Sequence, residues 1–350
     1  MLHQYTRWFA ASIGLVVLTS ATSVVAGLPE GVDLNVFGAA SYSYNFDKPA
    51  VNAGASDGVR AFAAKHNNFQ VDVLNVAVKK GVETKGDVGF RGDLIFGTGV
   101  PGAVGTAGAE NLLQAYLVYK PCDKSELTIG RFVTHFGGEI IPGVDGHNAL
   151  ATNGLIFYSI PLWHNGAKLS YKLTDSVTTT AIVTNGINDA ADASHQKMFG
   201  GQVAIAGSEQ LSLYLNYLGG KDAYYGSLTD VTHIANPVIV LKPAETTSLM
   251  IDGVYVKDGP ANSGWGVAGT LQHWYNESHA IALRGEYLND SDGTFGFATK
   301  VYSGTVGHEN KLGDNGFLRY EARYDASSDS NLAYGGEKQI TAAIQGGFTY

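Results

Sequence analysis

The residues best placed to do chemistry sit in short stretches where charge and grease take turns. Leu318, Tyr320, Ala322 and Tyr324 alternate with Arg319, Glu321, Arg323 and Asp325. Arg91 and Asp93 oppose Val88, Phe90, Leu94 and Phe96, Arg284 and Glu286 oppose Ile281, Leu283 and Tyr287, and Asp252 opposes Leu249, Ile251 and Tyr255. Successive side chains of a strand point to opposite faces, so each stretch has one apolar face and one ionised face. Opposite charges lined along a wet face can set a field across it and choose passing solutes by charge and size. The same groups could equally pair across neighbouring strands and brace a wall. Arg131 is the awkward member, because Leu127 and Ile129 share its parity. A mid-strand Arg facing lipid costs about 2–4 kcal/mol, so we place Arg131 on the ionised face with the others.

Rival chemistries find little support. Gly97-Thr98-Gly99-Val100-Pro101-Gly102 matches G-x-G-x-x-G after a strand, but Pro101, Gly105 and Gly108 break the helix a dinucleotide site needs. His135, His147 and His164 share no metal-ligand spacing, so no metal and no cofactor is expected. No nucleophile elbow and no local Ser and His pair suggests acyl transfer, so no catalytic residue is assigned. Cys122 has no mate, lies in an expected turn, Pro121-Cys122-Asp123-Lys124, and is read as incidental.

The elements that must carry the charged faces are strands. Blocks of alternating pattern, separated by Gly, Asn, Asp, Ser and Pro, predict sixteen of them, within a range of 14 to 18. Their expected spans are 34–46, 69–80, 86–97, 111–120, 125–134, 166–173, 176–184, 198–207, 210–219, 232–242, 246–257, 264–275, 279–289, 299–310, 316–326 and 338–350. Connections after even strands are tight, whereas those after odd strands are mostly longer. An all-β, antiparallel up-and-down transmembrane barrel predicts that rhythm, with short inner turns and long outer loops. In hydrocarbon every backbone polar group must be paired internally, so strands can span only as a closed sheet. Tyr116, Tyr119, Tyr171, Tyr255, Trp274, Tyr275 and Tyr350 suit interfacial girdles.

Composition agrees. Lys and Arg number 23 against 32 Asp and Glu, a net charge of −9, which does not suit a nucleic-acid partner. Residues 1–26 read as a secretory signal peptide, with Arg7, an apolar run from Phe9 to Leu18, and small residues before Gly27. Residues 27–350 then form one barrel domain whose solvent is outer-membrane lipid.

Several short motifs add a resemblance. Tyr44-Asn45-Phe46-Asp47-Lys48-Pro49, Asn68-Phe69, Gln114-Ala115-Tyr116, Gly130-Arg131-Phe132 with Gly138-Glu139, Pro161 with His164 and Gly166, and Asn185-Gly186 occur in order over most of the chain. Together they resemble the putative beta-barrel porin-2 (OmpL-like) family, although Ile187-Asn188-Asp189 replaces an expected aromatic and Asp. The final block, with Ile344, Phe348 and Tyr350, looks like the signal read by the barrel assembly machinery. The resemblance implies a pore in a Gram-negative outer membrane for small hydrophilic solutes or ions, and it admits a homo-oligomer. General porins fold the loop after the fifth strand into the bore. By that similarity, residues 135–165 are the expected constriction, carrying Glu139, Asp145, His147 and His164. A hydrolase on the barrel rim and a structural or adhesive barrel are the alternatives.

Overall fold

The computed structural model describes residues 27–47, 62, 65–100, 104, 111–190, 195–222, 225, 227–328 and 337–350. The expected signal peptide, Lys48-Pro49 and Pro101-Gly102 lie outside the described residues. The strands are β1 (Val32–Asn45), β2 (Asn68–Lys80), β3 (Val88–Phe96), β4 (Leu112–Cys122), β5 (Ser125–Val133), β6 (Trp163–Lys172), β7 (Val177–Thr184) and β8 (Met198–Ser208). They continue with β9 (Leu211–Asp222), β10 (Ser227–Ala244), β11 (Thr247–Asp258), β12 (Asn262–Trp274), β13 (His279–Asn289), β14 (Lys300–Leu312), β15 (Gly316–Ser327) and β16 (Lys338–Thr349). Each pairs antiparallel with its sequence neighbours, and β1 pairs with β16, giving a closed sixteen-stranded barrel. The expected strand count and topology therefore hold. No helix of the described residues is long and apolar enough to cross a membrane.

The ladder also fixes the faces. Arg284 is level with Thr270 and Thr305, and Thr305 with Arg323, so these share the inner face. Leu283 is level with Leu271 and Val306 on the outer one. Arg284 and Arg323 are buried, whereas Leu117 is 60% exposed, Ile129 55%, Leu283 45% and Val306 44%. Apolar side chains face out and ionised ones face in, the reverse of a water-soluble protein. Leu283→Arg is expected to destabilise the barrel by about 2–4 kcal/mol, read from urea unfolding in lipid vesicles. Thr270→Lys, on the inner face, should cost clearly less by the same assay.

Three departures from the expected strands have local causes. In β2, Val71 pairs with Ala40 and Val73 with Ala39, leaving Asp72 as an extra residue in a bulge. Strand β10 is longer than expected and includes Pro237, which carries no N–H. Asn236 Nδ2 donates to Gly253 O at 2.5 Å beside it and gives β11 a donor. Cys122, expected in a turn, ends β4 and pairs with Ser125. At the seam, Phe348 of β16 lies over Gly38 of β1, where an added Cβ would come within 2.6 Å of the ring.

Candidate functional site

An irregular segment buried inside a barrel needs partners for its backbone, since there is little water to satisfy it. Residues 134–162, between β5 and β6, meet that need with the charge ladder. Gly138 N–H donates to Asp252 at 2.8 Å, and Ala151 and Thr152 N–H donate to Glu321 at 2.8 and 3.1 Å. The short helix α1 (Leu155–Tyr158) packs against β11, β12 and β13, and its Leu155 N–H donates to Glu286 at 2.6 Å. Arg284 pairs with Glu286 at 2.9 Å and with Glu139 of the loop at 2.5 Å, and donates to Thr152 O at 2.8 Å. Arg323 pairs with Asp325 and donates to Asn153 O, both at 2.8 Å. Arg91 pairs with Asp93 at 2.8 Å and with Asp145 of the loop at 2.6 Å. Arg319 pairs with Glu309 at 2.8 Å, and His147 Nε2 lies 3.5 Å from the same carboxylate. The ladder thus braces the wall and anchors the infolded segment at once.

Within that segment, Ile140 N–H donates to Asn148 Oδ1 at 2.9 Å and Asn148 Nδ2 donates back to Ile140 O at 2.8 Å. This clasp pinches off Ile141–His147 as a compact lobe. Its far side touches Phe37 and Asn75 at Gly143, and the His147 ring lies 4.7 Å from that of Phe317. The infolded segment therefore lies along β10–β16 and β1–β3, and at its root His135 O accepts from Gln202 of β8 at 3.2 Å. The opposite wall is less covered. Lys168 and Ser170 of β6, Thr180 of β7, Gln202 of β8 and Tyr214 of β9 face inward by register and are only half-buried.

Four placements correct the sequence reading. His164 belongs to β6, not to the loop, because the β5–β6 ladder runs on through Phe132–His164 and Val133–Trp163. The loop accordingly ends at 162. Arg131 does not join the inner face: Ala115, Arg131 and Asn165 are level, without a register shift, on the same face as Leu117 and Ile129. Its cost there is relieved by cover, since the guanidinium lies 3.6 Å from the centre of the Trp163 ring and donates to Val104 O at 2.8 Å. Tyr116, expected in a girdle, is level with Arg91 and faces inward. Trp274 does too, level with Ala280 under the Lys311 ammonium.

Sequence reasoning missed Glu309, Lys168 and Asp72. Asp72 accepts from Ser41, Gln70 and Gln345 at 2.7, 2.8 and 2.8 Å. The signal for Lys168 was present, since Leu169 and Tyr171 alternate with it. Asp72 sits in the bulge, where alternation fails.

His135, at the root of the infolded segment, is half-buried, with its Nε2 shut off from solvent, beside His164 and Lys168. Burial, with those two neighbours, pushes its pKa down from 6.5 to about 3. An unfolded chain would take up the proton below about pH 6.5 while the folded one stays neutral. The stability owed to this group is therefore complete above that pH and lost progressively as pH falls toward 3. His135→Phe should flatten the fall in thermal midpoint between neutral and mildly acid pH, and an unchanged slope would refute the assignment.

A closed antiparallel barrel with an apolar exterior, an ionised interior and one loop drawn into the bore defines a porin-type barrel of the outer membrane. The family described as putative beta-barrel porin-2, OmpL-like, matches residues 34–350, and the chain belongs to it. Among solved structures, OprB of Pseudomonas putida is similar with a TM-score of 0.62 at 10% identity, over 91% of this chain and 94% of that one. OmpF of Salmonella typhi, in complex with daunomycin, gives 0.62 at 11% identity, over 91% and 97%. An anion-selective porin from Comamonas acidovorans gives 0.59 at 12%, over 91% and 99%. At these identities the likeness is one of fold. No curated protein sequence matches the chain.

Proposed function

We propose that the protein is a passive pore of the outer membrane through which small hydrophilic solutes or ions diffuse, narrowed by the segment after β5. The observation that carries this reading is the asymmetry of the bore. The infolded segment is fastened to one side by ion pairs and carboxylate–backbone bonds. The other side presents hydroxyl and amide groups to the space that remains. Arg91, Asp93, Asp252, Arg284, Glu286, Arg319, Glu321 and Arg323 set the field of the bore, with Glu139, Asp145 and His147 on the segment. Export through a cleaved leader at 1–26 and recognition of Ile344, Phe348 and Tyr350 by the assembly machinery belong to the same reading. So does a homo-oligomer of the kind that porins form.

Purified protein in planar bilayers should give stepwise conductance, and hydrolytic activity without conductance would favour the rim enzyme instead. Among the inner-face and loop groups named above, carboxylates outnumber cations. The reversal potential in a potassium chloride gradient is therefore expected to show a weak preference for cations, and dominance of chloride would overturn that expectation.

A further inference from the structure

An ammonium in a water-filled bore keeps its charge available only if no carboxylate claims it. Arg91, Arg284, Arg319 and Arg323 are each claimed by an acid within 2.8 or 2.9 Å. Lys168 is different. It faces inward in the middle of β6, level with Thr128 and Ile182, and has no carboxylate within ion-pair distance among the described residues. Its Nζ lies 4.9 Å from the centre of the Phe132 ring, a contact that steadies the chain without neutralising it. The imidazoles of His135 and His164 lie on the same side of the bore, and neither brings a negative charge. Beside Lys168 along the less covered wall, Ser170 and Thr180 share a hydroxyl pair at 2.9 Å, and Gln202, level with Thr180, donates to His135 O at 3.2 Å.

We propose that Lys168 and this hydroxyl pair form a binding subsite for small hydroxylated carboxylates on the permeation path. The subsite rests on the pore reading above and names a solute class for it. A carboxylate accepts from the ammonium, which has three donors and no internal acceptor, and a neighbouring solute hydroxyl exchanges with the water on Ser170 and Thr180. Glu126, level with Ser170, is paired with Lys120 at 3.6 Å, which leaves one cation beside hydroxyl groups, a match for a single carboxylate. Weak bulk preference for cations and local capture of a carboxylate are compatible, because the paired charges elsewhere in the bore cancel at short range.

The test is single-channel recording at low ionic strength with sodium lactate added to one side and glycerol as the neutral control. Wild-type current should fall with lactate and not with glycerol. Lys168→Gln should raise the half-blocking lactate concentration about tenfold, the loss of about 1.4 kcal/mol, whereas Lys168→Arg should stay close to wild type. Equal lactate blockade in Lys168→Gln, its heat-modifiable mobility intact, overturns the subsite and leaves the pore reading standing. So does equal blockade by glycerol in the wild type. Absence of any stepwise conductance overturns the pore reading itself, and the subsite with it.

Discussion

Replacing Ile141–His147 by two glycines is expected to raise single-channel conductance several-fold. The clasp between Ile140 and Asn148 marks a lobe that can be removed without lengthening the path between the ends it leaves. That lobe packs in the bore against one stretch of wall, formed by Asn75, Phe37 and the Phe317 ring that stacks on Phe37 at 6.1 Å, and its Asp145 reaches Arg91. Water and ions would take its place, and conductance grows with the cross-section opened to them. Arg91 keeps Asp93, and Arg319 keeps Glu309, so the wall loses little of its own pairing. The shift should appear as a larger unit step with unchanged heat modifiability. A step of wild-type size would show that permeation does not run past this lobe, and the proposed constriction would fall.

Arg284→Ala is expected to be the most damaging single substitution in the bore, costing about 3–5 kcal/mol. The guanidinium serves Glu286 on its own strand, Glu139 on the infolded segment and the carbonyl of Thr152, and all three are buried or nearly so. Removing it leaves two carboxylates close together with no cation between them. Glu286 also holds the N–H of Leu155 at the start of α1, so repulsion there would loosen the segment at its middle. Urea unfolding in lipid vesicles should show the loss, and channel records should become noisier. Adding Glu139→Gln and Glu286→Gln to Arg284→Ala should recover part of the stability, because the uncompensated charge is then gone. A loss below about 1 kcal/mol in the single variant would mean that the cluster is hydrated and bears little of the load.

Much of this arrangement was legible because lipid and water impose opposite demands on adjacent residues. The ladder from Phe317 to Asp325 reads correctly from alternation alone, and so does the terminal strand through Ile344 and Phe348. The long connection after β5 was also plain from its length and its Gly and Asn content. What alternation could not supply was the place where it breaks. Asp72 and Val73 both turn inward because β2 carries a bulge, and period-two reading has no term for an extra residue. Arg131 was sent to the wrong face by an energetic argument that assumed bare lipid outside. Cover from Trp163 and Val104 removes that assumption, and it depends on a segment distant in sequence. His164 was given to the loop because Pro161, two residues before β6, looks like a break in the pattern, whereas the β5 ladder carries the strand past it. The partners of the infolded segment were beyond reach for the same reason. Which carboxylate meets Gly138 or Ala151 is decided by contacts more than a hundred residues apart.

The meeting of β1 with β16 has a consequence for manufacture. A cylinder whose first and last staves must touch cannot be finished until both have arrived, so the first strand waits with a bare edge through synthesis and export. At the join the Phe348 ring sits where a side chain on residue 38 would have to go. A bulky residue at position 38, such as Val in place of Gly, would spoil the join without touching the conduit, and the cell would meet it as an unsealed sheet, open to proteolysis, rather than as a defective channel.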